Sequence, residues 1–116
     1  MSYRGIGVDI VEIRRFRGAK RKGAVSKLFT IKEVQYCSAF KDPAPHFAGL
    51  FAGKEAASKA LSTSRYPFLT LEIRHKPSGA PYVSTKKGKR LPVAISISHD
   101  GAYAMAIAVT FSSRTR

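Results

Sequence analysis

Two carboxylates and one lysine in this chain have the types and spacing that chemistry on a phosphorylated substrate requires. Asp9 lies in a segment that otherwise holds Gly, Val and Ile, where a buried carboxylate is costly unless it is paired, hydrogen-bonded or bound to a metal. Glu55 and Lys59 are four residues apart in a segment of helical periodicity, so they share one helix face. Because Mg²⁺ takes hard oxygen ligands and keeps waters and substrate phosphates, two carboxylates beside an ammonium group would suit phosphoryl-type transfer.

Each of these residues also has an ordinary structural interpretation. Asp9 would face solvent or an arginine from an edge strand, and Glu55 with Lys59 would form a surface ion pair worth only about 0.3–0.5 kcal/mol. Residues 98–100 (Ser-His-Asp) are not a triad, because neighbours on a strand point to opposite faces, and His99 is either a phosphate donor or a surface histidine. The histidines and the cysteine of the chain lack zinc-ligand spacing: His46, His75, His99 and Cys37.

The elements that must position these residues follow from the pattern of the chain. Residues 3–11 are predicted to form a strand, with Asp9 on the face opposite its apolar neighbours, and residues 46–61 are predicted to form the principal helix. A Thr30/Glu33 capping box predicts a short helix to Ser38. The remaining predictions are a basic helix over 13–28, strands at 68–74 and 82–84, and a hairpin of 93–98 with 103–111. We therefore expect a single α+β domain over residues 1–116, with one antiparallel sheet packed against a long helix.

The charge of the chain is unusual. Its 116 residues carry 21 Lys and Arg against 7 Asp and Glu, a net charge of +14, which predicts an acidic or phosphorylated partner. A domain this small leaves little room for a deep cavity, which favours a site shared between subunits. The single cysteine excludes an internal disulfide and fits a reducing cytosol, and alternation in residues 91–113 excludes a membrane helix there. We expect a cytoplasmic protein without a membrane partner.

From the residues alone, a basic module that binds RNA or DNA is the leading alternative. It would use residues 14–27 and the loop 86–90, and its affinity would come from neutralising phosphates. That function leaves Asp9 and Glu55 unexplained, and the aromatic residues mostly fall at core-facing positions rather than forming a stacking platform.

Four ordered segments together resemble the holo-acyl-carrier-protein synthases, the small-type 4′-phosphopantetheinyl transferases. The resemblance covers nearly the whole chain, and four motifs in order are far more specific than any one of them. The segments are GIGVDIVEIRRF (5–16), LFTIKEVQYC (28–37), FAGLFAGKEAASKAL (47–61) and SISHDGAYAMAIAV (96–109). The resemblance implies transfer of 4′-phosphopantetheine from coenzyme A to a serine of an acyl carrier protein, with release of 3′,5′-ADP, by a homotrimer with sites at the subunit interfaces. Nucleic-acid binding is then not expected to be functional.

The resemblance also implies roles for particular residues. Asp9 and Glu55 would bind Mg²⁺ with the coenzyme A diphosphate, Lys59 would stabilise charge on the leaving side, and His99 would reach coenzyme A from the neighbouring subunit. Lys54 is a further candidate for contact with coenzyme A. The base that takes the serine proton is either Glu55 or a hydroxide on the metal. Docking of the acidic carrier protein is assigned to three residues of the first helix and its surroundings: Arg15, Lys22 and Phe51.

The chain departs from the family pattern at three places. Leu50 stands where many members have Arg, which puts one phosphate contact in doubt. The sequence Ser62-Thr63-Ser64 replaces a glycine-rich loop, and Gly53 replaces the usual alanine at a helix-propensity cost of roughly 1 kcal/mol. These differences leave open a degenerate member that binds coenzyme A without transfer.

Overall fold

Antiparallel strands, two short α-helices and one long α-helix make up the fold, in a computed structural model that describes residues 3–18, 21–62 and 66–112. The side chains of Tyr3, Arg21 and Lys22 are not among those described. The strands are β1 (Tyr3–Glu12), β2 (Leu71–His75), β3 (Pro81–Thr85), β4 (Val93–Asp100) and β5 (Tyr103–Phe111). The α-helices are α1 (Arg21–Leu28), α2 (Ile31–Ser38) and α3 (Ala44–Leu61), and 3-10 turns cover Ile13–Phe16 and Phe68–Thr70.

The strands form two sheets, so the prediction of one sheet is wrong. One sheet has the order β1-β5-β4, with every neighbouring pair antiparallel, and the other is the β2-β3 hairpin. After the turn that follows β3, the chain still pairs with that strand through Arg90 opposite Ser84 and through the Leu91 N–H on the Val83 carbonyl. Pro92 has no N–H with which to continue this pairing, and the chain then leaves for β4.

Helix α3 crosses the three-stranded sheet obliquely and buries its inner face. Near its C-terminal end, a Cβ on Gly7 would overlap the carbonyl oxygen of Ala56, so β1 and the helix backbone are in direct contact. Nearer its N-terminal end, a Cβ on Gly53 would lie 3.0 Å from Ile97 of β4. The helix therefore spans from β4 to β1, and glycines provide the close approach at both crossings.

The short helix α2 begins as its sequence predicts. Thr30 accepts a hydrogen bond from the Glu33 N–H at 3.2 Å, and the Glu33 carboxylate accepts one from the Thr30 N–H at 2.9 Å, which confirms the capping box. Cys37 on this helix is fully buried, and burial raises the pKa of its thiol to about 12, with the Glu33 carboxylate adding to the increase. Cys37 is therefore a core residue.

The basic segment after β1 is not one helix, as predicted, but two pieces. A 3-10 turn covers Ile13–Phe16, and Gly18 then adopts φ +74°, a left-handed conformation that ends helical structure and that glycine adopts without strain. Helix α1 begins at Arg21. Residues 19 and 20 lie outside the described residues.

The remaining elements agree with the sequence apart from their boundaries. The hairpin of β4 and β5 is confirmed, with Asp100 opposite Tyr103 at its turn. Helix α3 begins two residues earlier than predicted, and Phe68–Thr70 is a 3-10 turn before β2 rather than part of the strand. None of the helices in the described ranges has the length and the apolar run needed to cross a membrane.

Candidate active site

Asp9 lies on the face of β1 that is turned toward helix α3. Its side chain is 16% exposed, whereas its neighbours Val8 and Ile10 point to the opposite face and are exposed. This alternation is what the strand pattern predicts. β1 is an edge strand that pairs only with β5 within its sheet, so the carboxylate lies at an accessible margin beside the helix.

Lys59 reaches back from α3 to the same margin. Its ammonium group donates a hydrogen bond to the carbonyl oxygen of Val8 at 3.0 Å and lies 3.4 Å from a carboxylate oxygen of Asp9. Helical side chains point toward the N-terminus of their helix, which brings Lys59 one turn back along α3 and onto the strand. With its side chain 55% exposed, Lys59 holds its charge at the surface, where a phosphorylated ligand can meet it.

Glu55 precedes Ala56, the residue whose backbone touches β1. The side chain of Glu55 is half-buried. In the described part of the chain, no residue donates a hydrogen bond to this carboxylate. No group of three or more His, Cys, Asp or Glu side chains there could hold a metal ion by itself. Asp9 on β1 and Glu55, next to the helix residue that touches β1, are nevertheless hard carboxylates of the kind that Mg²⁺ takes together with waters and substrate phosphates.

In the described residues, no hydrogen bond, ion pair or ring contact links His99 to Asp9 or Glu55. His99 is exposed at the end of β4 and lies beside His46, with the two ring centroids 5.6 Å apart, at the N-terminal end of α3. His46 and Glu55 are nine residues apart on that helix, which corresponds to about 13 Å along its axis. The chain therefore carries two separate polar sites.

Lys54 is not available to coenzyme A, and the prediction that it contacts this ligand is wrong. Its side chain is 1% exposed, and its ammonium group bonds to the Glu33 carboxylate and to the Leu28 carbonyl oxygen, each at 2.9 Å. Burial lowers the pKa of Lys54, and the Glu33 carboxylate opposes that decrease. Lys54 faces the interior because helix α3 is covered on this side by α2 and β2.

Two of the residues predicted to dock the carrier protein lie in contact. The Arg15 guanidinium lies over the ring of Phe51, 5.0 Å from its centroid, and Arg15 itself is exposed. Phe51 is half-buried and its ring also packs against Phe16 at 5.7 Å. The side chain of Lys22 lies outside the described residues.

The positions that depart from the family pattern have different surroundings. Leu50 is buried and lines the pocket that also holds His99. Ser62 ends α3 in a left-handed conformation with φ 47°, and Thr63 and Ser64 lie outside the described residues. The sequence gives no sign of two features of the site, the Val8 carbonyl that holds Lys59 and the grouping of the histidines, because both depend on contacts between distant segments.

The fold agrees with the family that the sequence resembles. The model of the 4′-phosphopantetheinyl transferase superfamily matches residues 5–108. A holo-[acyl-carrier-protein] synthase of Clostridium acetobutylicum is 39% identical over 118 residues, covering 91% of this chain and 95% of that protein. One of Syntrophotalea carbinolica is 41% identical over 119 residues, covering 90% and 93%. The chain therefore belongs to the 4′-phosphopantetheinyl transferase superfamily.

Solved structures of holo-acyl-carrier-protein synthases share the fold. The Bacillus anthracis protein in complex with CoA (3′,5′-ADP) has a TM-score of 0.73 and 32% identity, covering 92% of this chain and 95% of that chain. The Helicobacter pylori protein in complex with coenzyme A has a TM-score of 0.73 and 30% identity, covering 90% and 99%. The expected α+β, phosphopantetheinyl transferase-like fold is confirmed.

Proposed function

We propose that this protein is a holo-acyl-carrier-protein synthase, which transfers 4′-phosphopantetheine from coenzyme A to a serine of an apo-acyl carrier protein. The observation that carries this proposal is the meeting of Asp9 and Lys59 beside Glu55 at the β1–α3 crossing. The relatives that cover nine-tenths of the chain are named for this activity, and two of the similar structures hold coenzyme A or part of it.

Mg²⁺ would be held by Asp9 and Glu55 together with the coenzyme diphosphate. When bound, the ion supplies Lewis-acid stabilisation of the diphosphate oxygens. The donor set supports this assignment because both side chains are hard carboxylates at one crossing, and Mg²⁺ is commonly bound through one or two carboxylates plus phosphates.

The chain's own groups would carry the remaining steps of transfer. The serine oxygen forms a bond to the β-phosphorus, and the bond from that phosphorus to the 3′,5′-ADP oxygen breaks. Lys59 is held at the site by the Val8 carbonyl and can stabilise the negative charge on the leaving oxygen. The Glu55 carboxylate, which accepts no hydrogen bond from the described residues, can accept the serine proton.

Assembly as a homotrimer is supported by the outer face of the three-stranded sheet. Six large apolar side chains on adjacent strands are exposed there, and an apolar patch of this kind marks an interface. They are Ile6, Val8 and Ile10 of β1 and Tyr103, Met105 and Ile107 of β5. Val8 lies opposite Ile107, and Ile10 lies opposite Met105, so the patch is continuous.

The carrier protein would dock beside Arg15 and Phe51, which offer a cation and an apolar surface together. The excess of basic residues would steer an acidic partner toward the site. We propose a cytoplasmic location, because a reducing compartment suits a protein with a single cysteine and because we expect its substrates there.

Mass spectrometry of the carrier protein tests the proposed function. The protein is incubated with coenzyme A, Mg²⁺ and an apo-carrier protein, and the expected product carries one phosphopantetheine while 3′,5′-ADP is released. Removing Mg²⁺ with a chelator should stop transfer, and a carrier protein with its acceptor serine replaced by alanine should stay unmodified. Failure to modify any of several carrier proteins would refute the proposed activity.

A further inference from the structure

An open groove lies between the start of helix α2, strand β2 and the turn that follows β3. Its volume is about 390 Å³. Three cations line it, Lys32, Arg74 and Lys86, together with the apolar side chains of Phe29 and Ile31. We call this cavity the basic groove. Its combination of positive charge with exposed apolar surface is what an acidic, amphipathic protein surface would match.

The positive charge of the basic groove is not cancelled by neighbouring acids. Glu72 also lines the groove, but its side chain is only 4% exposed and it accepts a hydrogen bond from Arg74 Nε at 2.6 Å. Within the described residues, neither Lys32 nor Lys86 belongs to an ion pair, and both are exposed. The sequence holds no Asp or Glu from residue 73 to residue 99. Two ammonium groups are therefore available to an acidic ligand.

Arg74 is the fixed cation of the groove. The Glu72 carboxylate raises the pKa of its guanidinium, and a hydrogen bond with Tyr82 of β3 adds to that increase. Its side chain is 26% exposed, so part of the guanidinium remains accessible. An arginine held in this way loses little conformational freedom when it binds a carboxylate.

The basic groove is joined to the proposed docking surface by a layer of aromatic rings. Phe51, under the Arg15 guanidinium, packs against Phe68 with ring centroids 5.3 Å apart. The Lys54 ammonium lies 4.6 Å from the centroid of Phe68 and 5.6 Å from that of Phe29. Because Phe29 is a wall of the groove, one buried lysine with its two rings separates the groove from Phe51.

The 3-10 turn Phe68–Thr70 makes a second connection between the two surfaces. The Lys86 N–H donates a hydrogen bond to the Thr70 carbonyl oxygen at 3.2 Å, which fixes the turn after β3 against this element. Leu69 in the middle of the 3-10 turn is 53% exposed. A continuous strip of cationic and apolar side chains therefore runs from Arg15 to Lys86.

We propose that the basic groove is a second contact site for the acidic carrier protein, which would reach from Arg15 across Leu69 to Lys32 and Lys86. This inference rests on the proposed function, which makes a carrier protein the macromolecular substrate. Carboxylates of the partner meet the cations of the groove, and an apolar side chain beside them meets Ile31. Two separated contacts fix the orientation of the partner, whereas a single contact leaves it free to rotate. The groove would therefore help determine which carrier proteins are accepted.

Initial rates with the carrier protein and coenzyme A varied in turn test this proposal. Lys32→Glu and Lys86→Glu should each raise KM for the apo-carrier protein at least about fivefold, while kcat and KM for coenzyme A change less than about twofold. Both lysines are exposed, so the variants should fold normally, which thermal denaturation checks. Lys87→Glu reverses a neighbouring charge outside the groove and is the matched control, with KM for the carrier protein expected within about twofold of wild type.

Carbodiimide crosslinking tests the contact itself in the unmodified enzyme. The reagent joins a lysine ammonium group to a carboxylate in direct contact with it, so the carrier protein should be linked to Lys32 and Lys86. A carrier protein whose acceptor serine is replaced by alanine keeps the complex from turning over. Mass spectrometry of the digested product identifies the linked lysines, and Lys87 should not be among them.

The outcomes separate this proposal from the proposed function. If the enzyme modifies the carrier protein but Lys32→Glu and Lys86→Glu leave its KM unchanged, the groove proposal is overturned and the proposed function stands. If those variants instead lose binding of a labelled single-stranded oligouridylate, the groove is a nucleic-acid surface. If wild type modifies no carrier protein, the proposed function is refuted, and absence of crosslinks at both lysines then refutes the groove proposal as well.

Discussion

The ion pair of Asp9 and Lys59 contributes little to the stability of the fold. Lys59 is more than half exposed, and exposed pairs are worth roughly 0–1 kcal/mol because water and salt screen them. Glu55 has no hydrogen-bond donor among the described residues. Three charged groups at one crossing, with little structural role, are therefore available to bind a ligand, and their replacement should separate activity from folding.

We predict that Asp9→Asn and Glu55→Gln each lower the rate of carrier modification at least about a hundredfold, since each removes negative charge needed to hold Mg²⁺ at the diphosphate. Their free energies of unfolding should change by less than about 1 kcal/mol. The measurements are single-turnover mass spectrometry and urea denaturation. Glu12→Gln, at a half-buried acid on the same strand that pairs with Arg14, is the control and should keep wild-type activity. Near-normal transfer by either site variant would exclude its role as a ligand.

Single residues show which features of the site the sequence can predict and which it cannot. The face occupied by Asp9 could be predicted because strand side chains alternate, a local rule. The burial of Lys54 could not, because it depends on Glu33, which is 21 residues away and belongs to another helix. Lys54 and Glu55 are adjacent in sequence, which suggests that both belong to the site. Consecutive side chains on a helix point about 100° apart, so Lys54 faces the interior while Glu55 lies on the side of β1.

At the scale of elements, Glu33 joins four segments of the chain. Its carboxylate accepts hydrogen bonds from the Thr30 N–H at 2.9 Å, from Lys54 at 2.9 Å and from the Ile73 N–H at 2.7 Å. Lys54 in turn bonds to the Leu28 carbonyl at 2.9 Å. The end of α1, the start of α2, the middle of α3 and strand β2 are therefore fixed to one another by a single buried ion pair.

We predict that Lys54→Met lowers the free energy of unfolding by about 3–5 kcal/mol, because it leaves the Glu33 carboxylate buried without a countercharge. The double variant Lys54→Met/Glu33→Gln should lose less than the sum of the two single losses, as expected for coupled residues. Urea denaturation of all three variants measures both effects. Lys32→Met, on the exposed face of α2, should change stability by less than about 0.5 kcal/mol. Additive losses would contradict the coupling.

The contact of β1 with α3 positions the whole acid–lysine site. A Cβ on Gly7 would overlap the Ala56 carbonyl, and backbone cannot move aside as a flexible side chain can. We predict that Gly7→Ala lowers the free energy of unfolding by about 3 kcal/mol or more and abolishes carrier modification, since Asp9 would be displaced from the helix. Thermal denaturation and the mass assay measure the two effects.

Gly23→Ala is the matched control for this prediction. A Cβ on Gly23 of α1 meets nothing within 4 Å, so alanine there should be neutral or stabilise the helix by up to about 1 kcal/mol. Equal effects of Gly7→Ala and Gly23→Ala would show that close packing is not what requires glycine on β1.

Elements with local signals were predictable from the sequence. The capping box of α2 and the β4–β5 hairpin depend on residues that are neighbours in the chain, and both predictions are confirmed. The division into two sheets was not predictable in this way, because it depends on which strands pair after Pro92. The prediction of one basic helix was wrong at Gly18, because a pattern of charged residues does not reveal that this glycine adopts a left-handed backbone conformation.

Over the whole molecule, the net charge of +14 would attract an acidic carrier protein at long range, and we propose Arg15 with Phe51 as its docking surface. We predict that Arg15→Glu raises KM for the carrier protein about tenfold while changing KM for coenzyme A less than twofold, because only the macromolecule meets this surface. Initial rates with each substrate varied in turn provide the measurement. Lys76→Glu makes the same change of charge in the β2–β3 turn, so it controls for net charge alone. Equal effects of both variants would indicate steering without a docking surface.

The apolar outer face of the three-stranded sheet bears on whether the active site is shared between subunits. Burying Val8 and Ile107 against a second copy would account for their exposure in the isolated chain. Val8→Glu should convert a trimer to monomers in sedimentation analysis, whereas Leu69→Glu, an exposed apolar residue on the 3-10 turn before β2, should leave the trimer intact.

Mixed trimers then test which residues share a site. If each site combines the acids of one subunit with His99 of its neighbour, trimers assembled from equal amounts of inactive Glu55→Gln and inactive His99→Ala chains regain activity. Random assembly leaves both native residues at roughly a quarter of the interfaces, so about a quarter of wild-type carrier modification is expected. A mixture of Glu55→Gln with Asp9→Asn chains should regain none, because those two residues serve the site from the same subunit. Recovery in neither mixture would place His99 and the acids in one chain's site and contradict the shared arrangement.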